Sequence, residues 1–199
     1  MSRRCPIVFI PEDEQHASLM RGYFIGGRGF DYRGVAATKF WTHKRGNYVK
    51  ARDWFCEEIK LQAAGRRKFG VILLIDEDGV GLSARQKYVA DKLAAEGLPS
   101  LDPANGRLLV IPMRNVETWM AWAFRWLGTP SAPAGVIPID ETADYKIDPK
   151  YRGETKAPAF SVGKLMAEFD PTSPPSSMPG AMKNVLEPLS DFSAWAKLP

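Results

Sequence analysis

Cysteine and histidine are scarce in this chain of 199 residues, at two each. Cys5 and Cys56 cannot build a disulfide framework, which excludes a stapled secreted scaffold and makes a reducing setting the expectation. His16 and His43 are too few for a histidine-rich transition-metal centre. No apolar run approaches the roughly 20 residues of a membrane span. The opening MSRRCPIVFIPEDE pairs two arginines with a short apolar run broken by proline and acids, which is not the pattern of a secretory signal. A cytoplasmic protein with no membrane partner is therefore expected. Internal repeats are absent, and low complexity is confined to the short segment Pro171–Pro179.

The remaining composition is that of an ordinary globular domain, 45% apolar and 25% charged. A net charge of +4 permits contact with phosphates without requiring it. Its distribution says more. Basic residues gather at Arg28–Arg33, Lys39–Arg45, Arg66-Arg67-Lys68 and Lys146–Lys156.

One stretch organises the chain: Val71 to Gly81, VILLIDEDGVG. Five consecutive apolar residues, mostly β-branched or leucine, suit a strand buried on both faces of a parallel sheet. Asp76 and Asp78 follow at a spacing of two, so they share a direction if the strand geometry persists. In open α/β sheets the carboxyl ends of the strands form the rim where ligands bind. Carboxylates at such a rim suit a hard divalent cation.

The rest of the chain alternates strands with helices. A strand over Ile7–Ile10 ends at Pro11 and leads into Glu12-Asp13-Glu14 and a helix that runs to the glycines at 26, 27 and 29. A second strand is expected over Val35–Trp41. Asn47 caps a helix whose apolar face reaches Ala63, with Gly65 as its stop. Ser83-Ala-Arg-Gln86 matches a capping box for a helix to about Ala95, stopped by Gly97. Leu108–Ile111 reads as a further buried strand, and Val116, Trp119, Met120, Ala123 and Leu127 trace one face of the helix after it. This pattern predicts an α/β fold with a mostly parallel central sheet flanked by helices, occupying residues 1–129. Eleven of the 16 prolines lie beyond Thr129. Residues 130–199 are expected to form a proline-rich C-terminal extension packing on the core, with helices over Ser161–Phe169, Ala181–Leu186 and Asp191–Lys197. Phe192 and Trp195 should dock its end.

Three chemistries are weighed for the acidic turn. A calcium loop starting at Asp76 has its glycine in place at Gly81, but its twelfth position is Lys87 and a strand leads in, so that reading fails. A haloacid-dehalogenase type of phosphatase would use Asp76 as nucleophile and Asp78 as general acid beside magnesium. That family needs a downstream lysine and a later strand with further acids, whereas Leu108–Ile111 ends in Pro-Met-Arg-Asn.

The third chemistry rests on a resemblance. A glutamate after the first strand, Glu12, and an Asp-x-Asp after a later central one, Asp76 and Asp78, resemble the TOPRIM domain, in particular its small stand-alone bacterial and phage forms. Arg114-Asn-Val-Glu117-Thr-Trp119-Met120 is similar to their helix-opening acid-and-tryptophan motif. Asp148-Pro149-Lys150 and Asp191-Phe192-Ser193-Ala194-Trp195 match their C-terminal patterns. The usual Glu-Gly pair is replaced by Pro11-Glu12-Asp13-Glu14, so Glu12 or Glu14 stands as the functional acid. The resemblance implies a divalent-metal-dependent phosphodiesterase, a nuclease cleaving DNA or RNA with Mg2+ or Mn2+ held by Glu12, Asp76, Asp78 and Glu117. Lys150, Lys146, Lys156 and Arg85 become the candidates for binding phosphate. It also implies a phage-defence or mobile-element setting and an ATPase or other protein partner. The alternatives are a non-catalytic TOPRIM-like binding subunit of a larger complex and the phosphatase.

Overall fold

The computed structural model describes residues 6–30, 35–36, 47–65, 68–127, 140, 141, 143, 145 and 156–197. Four strands, β1 (Ile7–Pro11), β2 (Val35–Ala36), β3 (Gly70–Leu74) and β4 (Arg107–Val110), form one parallel sheet in the order β2-β1-β3-β4. Every pairing is parallel, with Pro11 opposite Leu74 and Leu74 opposite Val110. Among the described residues the α-helices are α1 (Glu14–Arg21), α2 (Tyr48–Ala63), α3 (Leu82–Ala95), α4 (Val116–Leu127), α5 (Lys156–Met166) and α6 (Gly180–Lys197). The chain is thus α/β, with a parallel sheet and helices on both faces.

The strand period of two explains the unbroken apolar run of β3. Ile72 and Leu74 join one core with β1 residues Ile7 and Phe9, β4 residues Leu108 and Val110, and side chains of α1, α4, α5 and α6. Val71, Leu73 and Ile75 point the other way, into a core with Phe55 and Ile59 of α2 and Val89 and Leu93 of α3. Each such side chain stabilises the fold by roughly 1.5–3 kcal/mol when fully buried. The strand therefore has no solvent face, and polar chemistry is confined to its end.

Several local expectations change. The Ser83 capping box is not used: α3 starts one residue after Gly81, whose φ of 93° places it in a backbone region that glycine enters without strain. The Glu77 carboxylate accepts the Gly81 amide there and fixes the helix start upstream of Ser83. The two helices expected at the C-terminal end are one, α6, running through Pro188. A proline inside a helix costs about 3 kcal/mol. Met182, Leu186, Leu189, Phe192 and Ala196 are all buried along one continuous stripe, which offsets that cost. Of the strand expected over Val35–Trp41, Val35–Ala36 pairs with β1 and the remainder lies outside the described residues.

α1 continues without a break into a π-helical turn, Gly22–Gly27, and α5 lies directly against both. A Cβ at Gly163 would overlap the Leu19 carbonyl, so the two helices meet backbone to backbone at a residue with no side chain. α6 closes the same face, its Phe192 set edge-on to Phe24 at 5.9 Å. No helix among the described residues is long and apolar enough to cross a membrane.

Candidate functional site

The carboxyl ends of β1 and β3 are neighbours, and the first residues beyond them carry the acids. The Glu12 amide extends the sheet by donating to the Leu74 carbonyl at 2.8 Å, and the Asp76 amide donates in return to Glu12 Oε2 at 3.0 Å. Pro11 ends the strand and Asp13 caps α1, its Oδ1 accepting the amides of Gln15 at 2.9 Å and His16 at 3.1 Å. One helical turn from Glu12, His16 is wholly buried between two acids. Its Nδ1 lies 2.6 Å from Asp13 Oδ1 and its Nε2 2.9 Å from Asp76 Oδ1. The same Asp76 oxygen accepts the Val116 amide, at the first residue of α4, at 3.0 Å.

Carboxylate oxygens only accept, so both ring nitrogens of His16 donate and the ring is an imidazolium. Burial alone would push its pKa down. The charges of Asp13 and Asp76, with their hydrogen bonds, outweigh burial and hold it well above the usual histidine range. Asp13 is half-buried, which would raise its pKa, and the His16 charge and bonds reverse that, leaving it well below the usual carboxylate range. Glu12 moves upward. Burial is the largest cause, the Asp76 amide and His16 oppose it, and the charges of Asp76 and Asp78 add to it.

Between the two aspartates, Glu77 shapes the turn. It is buried, and its carboxylate accepts the amides of Gly79 at 2.8 Å, Gly81, and Arg114 at 3.1 Å. Its own amide donates to the Pro112 carbonyl at 3.2 Å. The β3–α3 loop is thereby tied to the β4–α4 loop. Asp78 is turned outward with its side chain 39% exposed, against 1% for Asp76, so the acidic pair presents one buried and one accessible carboxylate. The Arg114 guanidinium lies over Gly79, in the space a Cβ there would occupy.

Glu12, Asp76 and Asp78 therefore share one rim and feel one another's charge. Glu14 is exposed in the first turn of α1, while Glu12 touches Asp76. Glu117 is buried in the first turn of α4, next to the Val116 that binds Asp76. Arg85 is buried rather than offered to solvent: its guanidinium stacks 4.0 Å from the Tyr48 ring centre, donates to the Glu77 carbonyl at 3.2 Å and comes within 3.8 Å of Asp78 Oδ2. Lys146 and Lys150 lie outside the described residues, as does the side chain of Lys156.

Sequence reasoning missed His16, Asp13, Glu77 and Arg114. The i, i+3 spacing of Asp13 and His16 directly after a strand was the one local signal. The reach of Glu77 to Arg114 spans 37 residues and leaves no local trace.

Among the described residues, no group of three or more His, Cys, Asp and Glu side chains is gathered closely enough to hold a metal ion. At this rim the charges of Asp76 and Asp78 add to the burial that raises the pKa of Glu12. Comparison of the chain with protein-family models, curated proteins and solved structures finds no match in any of the three.

Proposed function

We propose that the chain is a TOPRIM-like, divalent-metal-dependent phosphodiesterase, a nuclease acting on DNA or RNA. The observation that carries this reading is the placement of Glu12, Asp76 and Asp78 just past the ends of two adjacent parallel strands, with Glu12 accepting the Asp76 amide at 3.0 Å. Glu12, Asp76 and Asp78 would hold Mg2+ or Mn2+, with Glu117 of α4 beside them. Such an ion, when bound, neutralises charge on a phosphoryl group and lowers the pKa of its water.

The chain's own residues prepare the rim. Glu77 holds the turn that aims Asp78 outward. Val116 and His16 fix Asp76. Arg114 brings a guanidinium over the acidic turn, with a fork geometry suited to a phosphate. Lys146, Lys150 and Lys156 remain candidates for the same task. A phage-defence or mobile-element role with an ATPase partner belongs to this reading.

Incubation with plasmid DNA and with RNA, in Mg2+, Mn2+ or chelator, tests it. Metal-dependent cleavage lost in Asp76→Asn and Asp78→Asn supports the nuclease. Cleavage unchanged in those variants counts against it. Turnover of a small phosphomonoester through a phosphorylated Asp76 supports the phosphatase instead.

One observation favours a second reading, a non-catalytic binding subunit. Asp76 Oδ1 is already satisfied by His16 and Val116, and the described acids do not close a three-donor shell. Tight partner binding by a wild type inert toward nucleic acids supports that reading.

A further inference from the structure

Among the described residues β4 is an outer strand of the sheet. The Gly106 carbonyl accepts the Val71 amide at 2.8 Å, and the Val110 carbonyl the Ile75 amide at 3.2 Å. Backbone direction alternates along a strand, so Arg107 and Leu109 turn their amides and carbonyls away from β3. Arg107 finds a partner within the chain. It exchanges two antiparallel bonds with Asp102, each of 2.9 Å. Continued along the strand, that pairing would bring Ser100 opposite Leu109. The chain turns away instead, and the Ser100 carbonyl accepts the Arg107 Nε at 2.7 Å. Leu109 is left with an amide and a carbonyl that no described residue bonds.

A groove of about 420 Å³ follows this edge. Leu108 and Leu109 form its floor, Gln86, Lys87 and Ala90 of α3 line one side, and Pro188 of α6 lines the other. An exposed edge is a template for another strand, and proteins commonly blunt it with charge or proline. Neither occurs from Leu108 to Ile111.

Unpaired backbone calls for a ligand with a backbone of its own, and the walls decide which. A second copy would bring the same walls with it, α3 against α3 and α6 against α6, and hold two recessed edges apart. A single extended segment enters between them. Charge narrows the choice further. The lining carries two cations, Lys87 and Arg107, and no acid. Lys87 is 72% exposed, and its pair with Asp91 is a surface ion pair of the kind that contributes little, so its charge is available to a ligand.

We propose that the β4 edge binds an extended acidic segment of a partner protein, added as a further strand antiparallel to β4 and bonded to the Leu109 backbone. Side chains alternate along such a segment. Acidic ones face Lys87 on the α3 side, and aliphatic ones face Pro188 and Leu108 on the α6 side. The inference is independent of the chemistry at the acidic rim.

Random peptides displayed on phage are selected on wild type, and the enriched sequence is synthesised and titrated by fluorescence polarisation. The expected motif alternates aliphatic with acidic residues. Leu109→Pro removes the outward amide without breaking a bond to β3. It is expected to weaken the peptide about tenfold, the loss of one hydrogen bond. N-methylation of the single peptide residue that donates to the Leu109 carbonyl should weaken binding to wild type as much, whatever the folding of the proline variant. Lys87→Glu should turn the selected charge from acidic to basic. No common motif on wild type, or a motif bound equally by Leu109→Pro and by Lys87→Glu, overturns the proposal. So does a wild type that is dimeric in sedimentation equilibrium and made monomeric by Leu109→Pro, which assigns the edge to a second copy.

Discussion

The Asp78 amide donates to the Arg114 carbonyl at 3.0 Å, and both residues hold a left-handed backbone, at φ 55° and 61°. Among the described residues these are the two non-glycine positions in that region. Such conformations cost on the order of 1–3 kcal/mol and persist where surrounding contacts dictate them. Here the dictating group is Glu77, whose carboxylate bonds Gly79, Gly81 and Arg114. The loops after β3 and β4 form one rigid rim, and the strain is spent on turning Asp78 toward solvent.

Replacing Asp78 tests the cost of that rim. Asp78→Gly and Asp78→Ala both remove the carboxylate, and only alanine must place a Cβ on left-handed backbone. Asp78→Gly is expected to be more stable than Asp78→Ala by about 1 kcal/mol in chemical denaturation. Both should lose their response to metal. Equal stability of the two would show that the turn relaxes once the carboxylate is gone.

Glu12 carries a pH dependence. Its pKa in the folded chain is raised above the ordinary 4.5, chiefly by burial and further by Asp76 and Asp78. The folded state therefore favours the protonated form. The stability this contributes is fully present below about pH 4.5 and is lost as pH rises through the folded value. At neutral pH, in chelator, the ionised Glu12 is a burden that Glu12→Gln removes while keeping an oxygen for the Asp76 amide. Glu12→Gln should melt above wild type at pH 7.5 in chelator, with the difference vanishing near pH 4. A variant that melts below wild type at both pH values would contradict the electrostatic account.

Packing of α5 on α1 depends on Gly163. A methyl group there would overlap the Leu19 carbonyl and stand 2.7 Å from the Tyr23 nitrogen, both backbone atoms that cannot swing aside. Gly163→Ala is expected to destabilise the fold by about 1–3 kcal/mol in urea titration. Unchanged stability would mean that the two helices are able to slide apart.

Much of this architecture is legible in the residues. VILLI followed by acids announces a doubly buried strand because no polar residue interrupts it. The expectation for the aspartates follows from their position after a strand, and that for Glu12 from the resemblance. The Ser83 motif misled because it competes with Glu77, a carboxylate four residues upstream of Gly81 that caps the turn first. Pro188 misled because local helix cost was weighed without the apolar stripe that α6 buries. His16 left little trace: a lone histidine has no periodicity, and its partner Asp76 lies 60 residues away.

The central claim is that Glu12, Asp76 and Asp78 together receive a divalent cation. Calorimetric titration of Mn2+ into wild type, Glu12→Gln, Asp76→Asn and Asp78→Asn at pH 7.5 measures it directly. The account predicts one saturable site in wild type and at least a tenfold loss of affinity in each variant, on the order of 1.4 kcal/mol or more. Wild-type binding that persists unchanged in all three variants, or no binding in wild type, would contradict it.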